Sequence, residues 1–381
     1  MSHYDVAVIG SGPAGAMAAY HLAKKGISVI ILEKEILPRY KTCGGGLVYR
    51  GRRRMPFDIE SVVEREFKQI NLYFTGDDKV LTSLRDVPVI SMVMRDKFDK
   101  LLVEKAKGQG TEVKEGHKLT GITFGAISTL HTNQGDFQAK FIVAADGALS
   151  PTAKLAGWKE TRKLIPALEY EVEVNAEDFA RLSSEVRFDM DSVPHGYAWS
   201  FPKKNHLSLG IASTRRKKID LKIYYKKYLE KLGIKEIIGE KAHGYQIPIT
   251  PRTDGFHRNN VFLIGDAAGF ADAVTAEGIS NSLWSGELVA EAIFESGLNP
   301  EKAGRLYQQK LEKDLLPELH TSQTAARWFY GYRIIRNMLL KRYGDFAMSL
   351  MTDLYIGDRS YPKNLMKTIK GKIMEIKNPL M

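Results

Sequence analysis

The residues best placed to do chemistry lie in a few short runs. Gly10-Ser11-Gly12-Pro13-Ala14-Gly15 fits G-x-G-x-x-G. In that pattern Gly10 permits a tight turn, Gly12 lets a phosphate reach the backbone, and Gly15 lets helix and strand pack closely. The amides opening the next helix then meet a pyrophosphate with a partial positive charge. Glu33 ends the following apolar run, where a carboxylate accepts from both hydroxyls of a ribose and repels a 2′-phosphate. Two further apolar runs end in acid–glycine turns, Ile142 to Gly147 and Val261 to Asp266. Such strand ends converge at one edge of a parallel sheet, where α/β folds bind ligands.

Three other groups stand out. The single cysteine, Cys43, precedes Gly44-Gly45-Gly46, and three glycines allow a flat molecule to approach closely. Tyr197, Trp199 and Phe201 alternate, so on a strand they share one face, as a core stripe or as the wall of an apolar channel. Arg50, Arg52, Arg53 and Arg54 form a basic loop, either solvated or holding a diphosphate or phospholipid head.

The elements that must position these residues read as strand, turn, helix, strand over the first 33 residues. Tyr4–Ile9 is strand, Ala16–Lys25 is helix closed by Gly26, and Ser28–Leu32 is the second strand. This is one βαβ unit of a parallel sheet. From Phe67 shorter strands follow, with Gly76-Asp77-Asp78 as a hairpin turn between 69–75 and 79–84. Arg95–Gln109 is an amphipathic helix, with strands expected at 117–124, 127–132 and 137–145. A strand-rich stretch over 167–214, a helix near 220–232, and a long helix from Gly265 to about Ser296 complete the reading; the remainder is helical.

At 381 residues, about 150 per domain gives two to three lobes. The reading is α/β (α+β overall): a Rossmann-like domain (1–66, 90–160 and 250–300) interleaved with a smaller antiparallel-sheet substrate domain (67–89 and 161–249). A helical C-terminal region spans 301–381. Hydrophobic residues at 44% and charged residues at 27% are ordinary globular values. One cysteine excludes an intrachain disulfide and any multi-cysteine metal site, so no metal is expected and a reducing cytoplasm is the expected setting. No apolar run reaches the ~18 residues of a membrane span, and the N-terminus lacks a signal-peptide pattern. The net charge is +11, of which residues 321–381 contribute +7 from eleven Lys/Arg and four Asp/Glu. With no nucleic-acid-binding motif, this charge suits an anionic lipid surface or an acidic substrate rather than nucleic acid.

Taken together, these motifs resemble the glutathione-reductase-type FAD fold of the flavin hydroxylase superfamily, and within it the geranylgeranyl reductase family. The narrower likeness rests on Pro38-Arg39-Tyr40-Lys41-Thr42-Cys43-Gly44-Gly45-Gly46-Leu47, on Gly196-Tyr197-Ala198-Trp199-Ser200-Phe201-Pro202-Lys203, and on Ala276-Glu277-Gly278-Ile279. It covers about residues 4–300. The resemblance implies FAD, with Gly10, Gly12, Ala14 and Gly15 at the pyrophosphate, Glu33 at the adenosine ribose, and Leu119 offering backbone to the adenine. It further implies Arg95 as an FAD-binding arginine, Asp266 at the ribityl chain, Cys43, Gly44 and Gly46 along the flavin, and the amides of Gly278 and Ile279 at the isoalloxazine.

The expected activity is saturation of isoprenoid C=C bonds by hydride from reduced flavin, on a polyprenyl lipid or diphosphate. Cys43, Tyr197 and Trp199 are the catalytic candidates, with Cys43 open as acid, flavin gate or packing residue. Tyr197, Trp199, Phe201 and Arg50 are the substrate-binding candidates. NAD(P)H, a ferredoxin or a quinol is the electron donor. The competing readings are a flavin monooxygenase or halogenase on an aromatic substrate, and a FAD-containing lipid- or quinone-binding redox protein. A further expectation is peripheral contact with the inner face of a membrane through Trp328, Phe329, Ile334, Ile335, Met338, Leu339 and Leu340 beside Arg333, Arg336, Lys341 and Arg342. Oligomeric state is left open.

Overall fold

Strand His3–Ile9 is buried along its second half, with a paired strand on each side and the following helix packed against it. The computed structural model describes residues 2–74, 77–215 and 219–361. Within them His3–Ile9 pairs in parallel with Val29–Leu32 on one side and with Gly135–Ala144 on the other, and Gly135–Ala144 pairs in parallel with Val261–Leu263. The register aligns Leu32, Ile9, Ala144 and Leu263 in one row. The turns that follow them (Glu33, Gly10, Asp146 and Gly265-Asp266) therefore open on one edge. Helix Pro13–Lys24 runs back across the sheet, its residues Ala14, Met17 and Ala18 lying against helix Ile279–Glu295, where Gly286 packs on them.

A second sheet of seven strands carries the order Ile237–Pro248, Leu164–Val174, Leu207–Ser213, Gly196–Pro202, Val186–Met190, Gln69–Phe74, Asp77–Leu84. All its pairings are antiparallel except Val186–Met190 with Gln69–Phe74. A three-stranded sheet (Gly46–Val48, Ile90–Val93, Val63–Phe67) stands between the two. The last strand of the large sheet begins at Asp77, so Asp77 and Asp78 are strand where a turn was expected, and Thr75-Gly76 lie outside the described residues.

Two departures from the sequence reading matter for function. No element was assigned over Ile237–Pro248, yet this strand forms the sheet edge; its residues alternate between half-buried and exposed, which hides it from an apolar-run search. The expected single helix from Gly265 is two. Gly265–Ala268 makes one turn and stops at Gly269, whose φ of +86° is left-handed and whose added Cβ would stand 2.2 Å from the Thr250 carbonyl oxygen. A loop follows, shaped by the Asp272 carboxylate accepting from the amides of Val274 and Thr275, and the true helix starts at Ile279. Of the C-terminal helices, Pro300–Lys310 packs beside it, and Leu316–Gly331 leads to Arg333–Ile356 (kinked at Tyr343), which packs on strand Asp77–Leu84.

Candidate functional site

A cavity of about 880 Å³ lies between the strand-end edge of the parallel sheet and the face of the seven-stranded sheet. That volume is near the top of the usual range for ligand sites. Gly10, Gly12, Ala14, Glu33, Cys43, Gly44, Gly46, Arg95, Leu119, Asp266, Gly278 and Ile279 all line it, as do Tyr197, Trp199 and Phe201.

The parallel-sheet side is built for a large anion with sugar hydroxyls. Gly10 holds φ +99°, and a Cβ there would overlap the Ala145 carbonyl oxygen at 2.6 Å, so only glycine makes this turn. Helix Pro13–Lys24 points its free amides into the cavity with no acidic residue in its first turn. Glu33 is buried; one carboxylate oxygen accepts from the Ser11 amide at 3.0 Å and its hydroxyl at 2.5 Å, the other from the Glu35 amide at 3.0 Å. An oxygen with one donor retains a lone pair for a hydroxyl.

Behind Glu33 runs a charged chain that was not expected. Arg39 lies 3.6 Å from Glu33 and donates to Asp99 at 3.0 Å, while Arg95 grips Asp99 through two bonds at 2.8 and 3.0 Å. Burial disfavours the charge on Arg95, but Asp99 and the Cys43 sulfur outweigh it and raise its pKa. Lys41 covers the Tyr245 ring at 3.5 Å, and its pKa is lowered to about 8, first by burial and then by Arg95. Asp266 is raised by burial, against the pull of Lys41 and Arg95. Helix Ile279–Glu295 presents its N-terminus, with Gly278 as its cap, to the same space.

The opposite side is aromatic. Tyr197, Trp199 and Phe201 stand at successive ring separations of 6.1 and 6.2 Å, each largely buried. Trp199 lies over Gly210, where a Cβ would meet the indole at 2.0 Å, so the strand pairing of these two residues leaves room for the ring. The Trp199 indole N–H has no hydrogen-bond partner among the described residues, and an added Cβ on Gly44 would meet its nitrogen at 2.8 Å. An orphaned buried donor beside a glycine loop is a place for a ligand acceptor. Tyr197 donates to the Thr275 carbonyl at 2.5 Å, so its hydroxyl proton is already engaged.

Between the two sides, the Cys43–Gly46 loop is held from below. Lys203 is fully buried and donates to the carbonyls of Gly44 at 2.6 Å and Val93 at 3.1 Å; burial lowers its pKa. The Gly45 amide approaches the Cys43 sulfur at 3.4 Å. Tyr40, Glu169 and Tyr355 also line the cavity. None of Arg39, Tyr40, Asp99, Glu169, Lys203 and Tyr355 stood out in the sequence, although Arg39, Tyr40 and Lys203 sit inside quoted motifs and were within reach.

Two candidates lie elsewhere. Gly15 is behind the turn, where its Cβ would strike the Gly10 carbonyl at 2.1 Å, and it serves helix–strand packing. Arg50 as a substrate-binding residue is a correction. Its guanidinium is saturated by Glu277 and Glu318 at 3.1 Å each and by Asn281 and Ser280, so it ties the basic loop to helices 279–295 and 316–331. Arg52 pairs with Glu60 and Glu66, Arg53 with Asp358, and Arg54 with Glu287. The loop expected to be either solvated or phosphate-binding is a belt of ion pairs, largely buried at Arg50 and exposed at Arg53.

The FAD binding domain family matches residues 60–283, and the FAD dependent oxidoreductase family matches 5–71. The chain is 29% identical to a chloroplastic geranylgeranyl diphosphate reductase of Arabidopsis thaliana, over 96% of this chain and 83% of that one. It is likewise 29% identical to a digeranylgeranylglycerophospholipid reductase of Thermoplasma volcanium, over 86% and 87%. In fold it is similar to a geranylgeranyl bacteriochlorophyll reductase-like protein from Thermoplasma acidophilum, with a TM-score of 0.76 and 24% identity over 98% of this chain and 96% of that one.

Proposed function

The chain belongs to the FAD binding domain family, and from that premise we propose that it saturates carbon–carbon double bonds of an isoprenoid lipid or diphosphate. The observation that carries this reading is the continuity of the cavity. The polar strand-end site runs without a wall into the face bearing Tyr197, Trp199 and Phe201, so an apolar chain lying on that face would touch the cofactor's reactive end. Burial of each CH₂ there contributes about 0.8 kcal/mol and requires no polar recognition.

FAD, when bound and reduced, supplies hydride. The residues do the rest. Gly12 and Ala14 would hold the pyrophosphate, Glu33 the adenosine ribose, Leu119 the adenine, and Arg95 and Asp266 the ribityl end. Gly278 and Ile279 would place the helix N-terminus against the electron-rich ring. Cys43 and Trp199 would fix the substrate against that ring, and the aromatic face would exclude water, since an unactivated alkene reacts only when held in line. The reductant that reloads the site is NAD(P)H, a ferredoxin or a quinol. The sequence carries one G-x-G-x-x-G, at residues 10–15, which the proposed FAD site takes up.

A membrane contact belongs to the same reading. Tyr332, Ile334, Met338 and Phe346 are exposed on or beside helix Arg333–Ile356, close to Arg333, Lys341 and Arg342. Arg336 is excluded from that surface, because it is buried and paired with Asp191 at 2.5 Å. Phe329 and Leu340 pack on the core. Five of the lysines and one glutamate of the basic excess lie in 362–381, outside the described residues. No helix among the described residues is long and apolar enough to cross a membrane.

The test is anaerobic incubation of the dithionite-reduced holoprotein with geranylgeranyl diphosphate or digeranylgeranylglycerophospholipid, followed by mass spectrometry. Products heavier by one or more pairs of hydrogens are expected. Substrate returned unchanged, together with O₂-dependent turnover of an aromatic compound, would overturn the reading in favour of a monooxygenase.

A further inference from the structure

Glu169 lines the cavity, and Glu171, two residues along the same strand, stands behind it on the side toward the surface. Glu169 and Glu171 alternate on strand Leu164–Val174, so both point from one face and their titrations are linked. Glu169 is buried and lines the cavity, accepting from Tyr40 Oη at 2.6 Å and Ser208 Oγ at 3.1 Å. Glu171 meets His206 Nε2 at 2.8 Å, and His206 Nδ1 meets the exposed Asn205 at 2.9 Å. The outer link is a hydrogen bond, the inner one is the adjacency of two carboxyls on one strand face, and the chain runs from the surface to the cavity. We propose that His206, Glu171 and Glu169 form a proton relay that supplies the proton consumed at the second alkene carbon, with Tyr40 as the positioning residue for Glu169.

The proposal rests on the alkene-reducing reading above. Each saturation takes one hydride, supplied by the reduced flavin, and one proton. At the second carbon a C–H bond forms as the Glu169 O–H bond breaks. Glu169 regains its proton from Glu171, Glu171 from His206, and His206 from bulk water, so the protein returns to its starting state.

Electrostatics favour a resident proton at the cavity end. Burial, then the neighbouring Glu171 carboxylate, raises the Glu169 pKa to about 8, partly opposed by the bonds from Tyr40 and Ser208. Glu171 goes the other way: against its burial, the bonds from His206 and the charge of Lys203 lower it. The other groups facing the pair are His243, stacked on Tyr40 at 3.9 Å and paired across the strands with Glu169, Lys241, paired across the strands with Glu171, and the nearby Cys43 and Lys203. At neutral pH the pair therefore holds one proton, on Glu169. Above about pH 8 that proton is lost and the relay is empty at its delivering end.

The experiment mixes anaerobic, dithionite-reduced holoprotein with geranylgeranyl diphosphate and follows flavin reoxidation in a single turnover across pH. The wild-type rate should fall above about pH 8. Glu169→Gln should slow it by about 100-fold, the lower range for general acid loss, and flatten the alkaline limb. His206→Ala should cause a smaller loss that imidazole in the buffer restores. As a readout independent of turnover, the infrared carbonyl stretch of a protonated carboxyl should be present in the wild type at neutral pH and absent from Glu169→Gln. A wild-type rate and pH profile in Glu169→Gln with full FAD would overturn the relay. If Glu169→Gln does not fold, an unslowed His206→Ala overturns it. No reduction by the wild type would instead overturn the alkene-reducing reading, and the relay with it.

Discussion

The two walls of the cavity are built by opposite means. The strand-end wall uses backbone and buried ions: Gly10, the amides of two helix N-termini, and the chain Glu33–Arg39–Asp99–Arg95. The facing wall is a row across strands, in which Phe188, Trp199, Gly210, Glu169 and His243 stand in successive register positions. The first wall is polar, tightly bonded and suited to one fixed cofactor. The second grades from aromatic to acidic along a single row, the arrangement on which the proposed substrate channel and proton relay rest. A rigid site for the reagent and a graded surface for the substrate is a division that a family can vary on one side without disturbing the other.

Breaking the first wall should have the largest effect. Asp99→Ala leaves the Arg39 and Arg95 guanidinium groups buried without their shared carboxylate, a loss of about 3–5 kcal/mol for a buried pair deprived of one partner. The expected outcome is poor retention of FAD and a lowered melting temperature, measured by flavin absorbance per chain and by calorimetry. Unchanged FAD content would show that this chain of ions does not support the site. Glu33→Arg should follow. It removes hydroxyl bonds worth about 1.5–3 kcal/mol each and sets a cation against Arg39. FAD retained at the wild-type level in equilibrium dialysis would refute the ribose assignment.

Trp199→Ala sharpens the comparison from the other side. Losing the aromatic contact with the substrate should cost about 1.5–3 kcal/mol, or roughly ten- to a hundredfold in KM, while leaving FAD bound. If FAD is lost instead, the orphaned indole N–H serves the cofactor rather than the substrate, and the two walls are not separable.

The same contrast decides what the sequence disclosed. The strand-end wall is local: G-x-G-x-x-G, Glu33, Asp146-Gly147 and Gly265-Asp266 each sit in a short run whose pattern carries its own geometry. Parallel pairing then makes those runs converge, as their spacing implied. The alternation of Tyr197, Trp199 and Phe201 was equally legible as a shared face. The relay was not, because Tyr40, Glu169, Glu171 and His206 come from three separate segments and meet only through strand register and a loop crossing. Arg50 misled for a related reason. A run of arginines shows its charge in sequence, whereas the two glutamates that pair with Arg50 lie more than two hundred residues away. The break at Gly269 was hidden by its alanine-rich setting, which scores as helix whatever the fold requires.

The smallest expected effect concerns the loop that joins the two walls. Residues 270–278 lead to the Gly278 cap, and two phenols hold the loop from different sides: Tyr197 donates to the Thr275 carbonyl, and Tyr330 of the C-terminal helices donates to the Val274 carbonyl, both at 2.5 Å. Tyr330→Phe keeps the ring packing and leaves one buried carbonyl without its donor, a loss of about 1–3 kcal/mol. FAD content should be unchanged, because the loop's own Asp272 bonds to the Val274 and Thr275 amides survive. Tyr197→Phe should behave alike. Since both bonds restrain one short segment, the double variant should depart from additivity by about 0.5 kcal/mol or more, which a double-mutant cycle on thermal or denaturant stability measures. Strict additivity would mean that the two sides grip the loop independently, and that the C-terminal helices do not help to set the N-terminus of helix Ile279–Glu295.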